Sequence, residues 1–267
     1  MHTQDDKPIS VAALYLFADL RDEKDFMHET ADAIESQMFQ LDIRGTLILA
    51  EEGINGTIAG TPPAIDQMLD YLRSSEVFCC KLSALAPNLS YCEHMPFERS
   101  VVKVRPEIVT MGVPGIDPTS QVGQYVEPHE WNDLIDDPDV LVIDTRNAFE
   151  VDMGTFVSQD GRPATDPKTV CFRDFPAFAK RELETQKDKT VAMFCTGGIR
   201  CEKATSYLLT LGFRDVRHLK GGILGYLRVT DPSVSRWQGG CFVFDQRTQL
   251  GHGLVPLDTQ ESCPKPH

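Results

Sequence analysis

The sequence has no apolar run near the ~18 residues that a membrane-spanning helix needs, so no membrane segment is expected. Its opening residues, Met1-His2-Thr3-Gln4-Asp5-Asp6, lack the basic-then-apolar pattern of an export signal. A cytoplasmic protein is expected. No Cys-x-x-Cys, His-x-x-His or His-Glu-x-x-His occurs, and so no metal site is expected. No flavin, haem or iron motif stands out either, leaving no evident cofactor. The 8 cysteines are irregularly spaced and read as reduced thiols, not as a disulfide framework. Positive charge is scarce: 26 basic side chains face 40 acidic ones, for a net charge of −14. Spread evenly, that balance would argue against a nucleic-acid partner, but it is not even. Residues 1–98 carry net −11, whereas residues 195–247 carry 8 basic against 4 acidic side chains, net +4. That basic half either meets a polyanion or simply solvates helix faces.

With 267 residues, 41% of them hydrophobic, the chain can bury more than one core. Six elements read as a 1–98 domain. Ile9 to Phe17 is strand-like, and Asp22 to Phe39 has helical spacing. Gly45 to Ala50, Glu51-Glu52-Gly53 and Ile54 to Gly60 form a hairpin, and Thr61-Pro62-Pro63 opens a helix into Leu72. A fourth strand near Phe78 to Leu85 completes βαββαβ, a ferredoxin-like sandwich. Glu51, Glu52 and Asn55 at the hairpin offer acid/base chemistry, although a solvated turn explains them as well. Aromatic-rich strands that would stack single-stranded RNA are lacking in this domain.

Residues 99–125 read as a basic strand and linker. Arg99, Lys103 and Arg105 share one face of an extended segment, as a phosphate-binding stripe or as a charge-protected edge strand. Met111 to Pro118 is rich in glycine and proline. A second domain is expected over 126–228, with a capped helix at Glu127 to Ile135 and strands at Leu141 to Asp144, Val191 to Phe194 and Val216 to Leu219. Strands alternating with helices predict a parallel sheet. Residues 229–267 read as a short irregular C-terminal segment, containing the strand-like Cys241 to Asp245 and a disordered tail at Ser262 to His267.

The second domain is organised around Cys195-Thr196-Gly197-Gly198-Ile199-Arg200, between a buried strand and a helix. A cysteine at a helix N-terminus meets converging N–H groups, which with Arg200 favour thiolate over thiol. Gly197 and Gly198 let the loop, including Thr196 and Ile199, curl around the sulfur. The Cys-x4-Arg spacing is one residue shorter than the Cys-x5-Arg of cysteine phosphatases, so the loop should enclose something smaller than phosphate. Cys201 is either a resolving thiol or a buried helix residue. Asp144 and Arg146 are expected to tie down a strand end, with Arg146 and Glu150 spaced for a local ion pair. Arg173 either reaches the substrate side or stabilises the fold.

This loop resembles that of the rhodanese superfamily, which carries a cysteine persulfide. Asp144-Thr145-Arg146 and His218-Leu219-Lys220-Gly221-Gly222-Ile223 match the same domain. Together with Glu52-Gly53-Ile54-Asn55-Gly56-Thr57 and the trailing Cys241-Phe242-Val243-Phe244-Asp245-Gln246-Arg247, the chain is similar to the oxygen-dependent tRNA uridine(34) hydroxylase family. The resemblance implies an oxidoreductase forming 5-hydroxyuridine at the wobble position of tRNA, with molecular oxygen as co-substrate and Cys195 as a persulfide-type active-site cysteine. Family members often carry several closely spaced cysteines in the tail, where this chain has only Cys263. The loop alone also fits a sulfurtransferase moving sulfur from a small donor through Cys195. A non-catalytic rhodanese-fold module is disfavoured by the presence of both Cys195 and Arg200.

Overall fold

A computed structural model of the chain describes residues 8–21, 26–74 and 78–257. The N-terminal half comprises β1 (Ile9–Phe17), α1 (Met27–Gln40), β2 (Arg44–Ala50), β3 (Gly53–Gly60), α2 (Pro62–Ser74), β4 (Asn88–Cys92) and β5 (Ser100–Val104). They build a sheet in the order β4-β1-β3-β2-β5. β1 runs antiparallel to both β3 and β4, whereas β5 lies parallel to β2. Alternation along β1 sends Ala12 and Leu14 into a core with Ile34 and Met38 of α1 and Ile65 and Met68 of α2. Ala13, Tyr15 and Phe17 point the other way, where the second domain covers them. A strand apolar on both faces is what that double burial requires.

The ferredoxin-like expectation holds, but its fourth strand is Asn88–Cys92 and not Phe78 to Leu85. Phe78, Leu82 and Leu85 are buried at spacings of four and three, and the segment forms successive three-residue turns from Phe78 to Lys81 and from Leu82 to Leu85. That is a helical period, which a strand cannot place on one face. Within 99–105 the expected extended strand forms: β5 joins the first sheet as its outer strand, so Arg99, Lys103 and Arg105 belong to a charged edge. The start of the expected first helix at Asp22 and the tail at Ser262 to His267, with Cys263, lie outside the described residues.

The second domain follows as β6 (Gln124–Val126), α3 (Pro128–Asp136), β7 (Leu141–Asp144), α4 (Ala148–Val151), β8 (Gly154–Phe156), α5 (Phe175–Glu182), β9 (Thr190–Phe194), α6 (Ile199–Thr210), β10 (Asp215–Leu219) and α7 (Gly222–Val229). β6, β10, β9 and β7 form a parallel sheet in that order. The C-terminal segment is more ordered than its composition indicates. β11 (Trp237–Gly239) pairs with β8, and β12 (Cys241–Phe242) pairs with β13 (Gln249–Leu250). Trp237, Cys241, Val243, Leu250 and Leu254 enter the core of the second domain. Arg247 grips Asp245 at 2.6 and 2.7 Å and donates to Ser90 Oγ of β4 at 2.7 Å, tying this segment to the first sheet.

Candidate active site

Cys195 leaves the C-terminal end of β9, the central region of the parallel sheet, where such folds place ligands. Its carbonyl accepts from Ile223 N–H at 2.9 Å and the Thr196 carbonyl from Leu224 N–H at 3.0 Å, so the first turn of α7 anchors the loop. A Cβ on Gly222, at φ +61°, would meet the Cys195 carbonyl oxygen at 2.5 Å. Gly198 adopts φ +109°, and a Cβ there would fall 2.6 Å from the Tyr15 hydroxyl. The loop is therefore wedged between α7 and β1 of the other domain.

The sulfur accepts from Gly198 N–H at 3.1 Å. Burial by itself would raise the Cys195 pKa. The Cys201 thiol, the Arg200 charge and the N–H groups of Cys201 and Gly198 outweigh it and lower the value to about 6. Cys201 is fully buried, contacts Thr145 Oγ1 at 3.4 Å and has its own pKa pushed well up by burial and by the neighbouring thiolate. It is a buried helix residue and also one of the groups that favour the Cys195 thiolate.

Arg200 does not face Cys195 alone. Its guanidinium takes Glu150 at 2.6 and 2.8 Å and Thr196 Oγ1 at 3.1 Å. The expected Arg146–Glu150 ion pair is absent, and Arg146 instead donates to the Glu150 carbonyl. Geometry explains the exchange. Asp144, two residues before Arg146, takes its guanidinium at 2.6 to 3.2 Å with both side chains fully buried, which leaves the Glu150 carboxylate to Arg200. Arg146 also donates to the Gly154 carbonyl and lies 5.1 Å from the Trp237 ring. Asp144 and Arg146 thus hold the strand end and do not line the cavity at Cys195. Arg173 is exposed and packs beside Gly112, while its neighbour Phe172 lines the cavity at Cys195.

That cavity, of about 300 Å³, is closed by three parts of the chain. The second domain contributes Cys195, Thr196, Gly197, Ile199 and Arg200; the first contributes Tyr15, Asn55, Thr57 and Asn88; the C-terminal segment contributes Phe244 and Arg247. The hairpin acids are not solvated as a pair. Glu52 takes Lys203 Nζ at 2.8 Å and Ile108 N–H at 2.7 Å. Lys203 is almost completely buried and also bonds Glu107 at 2.5 Å and the Val109 carbonyl at 3.1 Å. Nearby, Tyr15 donates to Glu202 at 2.8 Å, a carboxyl raised by burial. Of these groups, Tyr15, Lys203 and the carboxylate role of Glu150 carried no signal in local patterning; Asn55 was marked only by the hairpin and Arg247 only by its place in the Cys241–Arg247 run.

A cysteine at the C-terminal end of a parallel strand, in a six-residue loop anchored by the first turn of α7, defines a rhodanese-type domain. The sequence matches the rhodanese-like domain model over residues 127–228 and the UPF0176 acylphosphatase-like domain model over residues 9–108. The tRNA uridine(34) hydroxylase of Nitrobacter hamburgensis is 50% identical over 247 residues, 92% of this chain and 93% of its own length. That of Nitrobacter winogradskyi is 48% identical over 246 residues, with the same coverage of 92% and 93%. The chain belongs to the tRNA uridine(34) hydroxylase family. Among solved structures, the rhodanese-like domain of an Anabaena protein matches with TM-score 0.34 and 19% identity, covering 55% of this chain and 99% of that one. An acylphosphatase from Coxiella burnetii matches with TM-score 0.24 and 12% identity, covering 39% of this chain and 100% of its own. No helix among the described residues is long and apolar enough to cross a membrane.

Proposed function

We propose that this enzyme converts uridine 34 of tRNA to 5-hydroxyuridine in the cytoplasm, with molecular oxygen as oxidant and Cys195 as the nucleophile. The observation that carries the reading is a depressed-pKa thiol lining a cavity built jointly by both domains of a tRNA uridine(34) hydroxylase family member. Addition of the Cys195 sulfur to C6 of uracil forms an S–C6 bond and moves the C5=C6 electron pair onto C5 and the C4 carbonyl. C5 then takes one oxygen atom from dioxygen, and the other leaves as water with two electrons and two protons from an external donor. Loss of the C5 proton expels the thiolate and restores the double bond. Arg200 and the loop N–H groups favour the thiolate at the start and at the end of this cycle.

The test is nucleoside mass spectrometry of tRNA from cells lacking the protein, rescued with wild type or Cys195→Ala. Wild type is expected to restore 5-hydroxyuridine and the variant to leave it absent, with tRNA binding retained. Equal signal with both would end the Cys195 reading. Rapid cyanide-dependent thiocyanate formation without RNA, with no 5-hydroxyuridine, would instead favour sulfur transfer to a small acceptor.

A further inference from the structure

We propose that Asn55 is the residue that selects uracil, accepting a hydrogen bond from the N3–H of the base that enters the cavity beside Cys195. The inference rests on the reading above that the substrate is a uridine of RNA. Asn55 lies on β3, opposite Tyr15 of β1, and lines the cavity from the side of the first domain. Its Nδ2 donates to the Ile108 carbonyl at 2.8 Å. Flipping the carboxamide would set Oδ1 against that carbonyl oxygen, so the amide is locked with its acceptor free. Oδ1 has no hydrogen-bond partner among the described residues.

Locking the amide matters because the Watson–Crick edges of the two pyrimidines differ at this position. Uracil offers a donor, N3–H, between two carbonyl acceptors; cytosine offers an acceptor at N3 beside an amino donor. A free asparagine would rotate to serve either base, whereas one fixed by its own backbone bond presents oxygen only. Cytosine would then place N3 against Oδ1, lone pair to lone pair. Asn88, a second amide at the cavity, is held less tightly, with its Nδ2 at 3.4 Å from the Gly221 carbonyl. Arg200, which also lines the cavity, has committed three of its five N–H groups to Glu150 and Thr196, so two remain for a carbonyl oxygen of the base. The cavity, about 300 Å³, suits one pyrimidine nucleoside. A fixed acceptor and spare donors at one cavity match the N3–H and the carbonyl groups of uracil.

The test uses the full-length protein and three short anticodon stem-loop RNAs that differ only at position 34: uridine, 3-methyluridine and cytidine. Wild type is expected to bind the uridine stem-loop about 10- to 100-fold more tightly than either of the others, the range for leaving a buried polar group unpaired. In Asn55→Ala the uridine affinity should fall toward the other two and the discrimination should shrink to within a few-fold. Far-UV circular dichroism and the alkylation rate of Cys195 check that the variant is folded. Wild type binding all three alike, or Asn55→Ala keeping the full preference, would overturn the proposal. The 3-methyluridine comparison needs no variant and so survives any misfolding of Asn55→Ala. Formation of 5-hydroxyuridine from the uridine stem-loop is measured separately: absence of product with discrimination intact counts against the hydroxylase reading and not against the role of Asn55.

Discussion

Cys195 is fully buried, and burial alone would keep its thiol protonated at neutral pH. Its low pKa is therefore a property of its neighbours, and it can be tested through them. The rate of Cys195 alkylation by iodoacetamide, read by peptide mass spectrometry, should rise with pH around a midpoint of about 6 and be level above neutrality. Cys201→Ala removes a hydrogen bond to the sulfur and should move that midpoint upward; Cys201→Ser keeps a donor and should leave it near the wild-type value. Glu150 is a second residue defined by its partner. It is fully buried against Arg200, and Glu150→Gln strands a guanidinium that is 10% exposed, for an expected cost of about 3–5 kcal/mol in urea unfolding. The place of Cys195 at the candidate site was legible from local sequence because a glycine pair, an arginine and a following helix sit within a few positions of it. The partner of Glu150 was not, since four-residue spacing admits Arg146 and only the buried Asp144 takes that arginine away.

At the scale of the element, the loop between β9 and α6 is shaped by contact from outside it. Gly197 and Gly198 look equivalent in sequence, yet a Cβ on Gly197 would meet nothing within 4 Å, whereas one on Gly198 would strike the Tyr15 hydroxyl at a positive φ. Gly197→Ala should thus change stability by no more than about 0.5 kcal/mol, while Gly198→Ala should cost well over 1 kcal/mol in the same unfolding assay. Equal effects would show that the wedge between β1 and the loop is not tight. The elements themselves were legible where periodicity is long and uniform: β1, β2, β3 and α2 fall close to where alternation and the Thr61-Pro62 start place them. β4 was displaced by about ten residues because Phe78 to Leu85 is as apolar as a strand and its turns are visible only once Phe78, Leu82 and Leu85 are seen on one side.

At the scale of the whole molecule, the two domains are joined by buried charge. Lys203, 2% exposed, sits between Glu52 and Glu107, which are 22% and 20% exposed. Lys203→Met would leave two carboxylates facing each other at the interface, and about 3 kcal/mol of stability should be lost, with the single thermal transition broadening or splitting by calorimetry. Burial would raise the Glu107 carboxyl, but the Lys203 ammonium and the Met111 and Gly112 N–H groups hold it below its ordinary value. A carboxyl depressed in the folded state stabilises at neutral pH and loses that contribution as pH falls through its folded value. Acid should therefore loosen the domain interface, and Lys203→Met should flatten that part of the stability profile.

By itself the sequence determined the local chemistry: a cysteine and an arginine on one short loop, a parallel α/β domain around them, a ferredoxin-like domain ahead, and the family to which the combination belongs. These are set by periods of two and 3.6 and by motifs within a few residues of one another, which the chain carries without reference to its distant parts. The tertiary structure alone decided what surrounds the thiol. Tyr15 and Asn55 come from some 140 to 180 residues before Cys195 and Phe244 and Arg247 from about 50 after it, and they meet because the uncovered face of the first sheet has to be buried against the second domain. Hydrophobic burial has no direction along the chain, so the cavity it closes could be read only from the folded molecule.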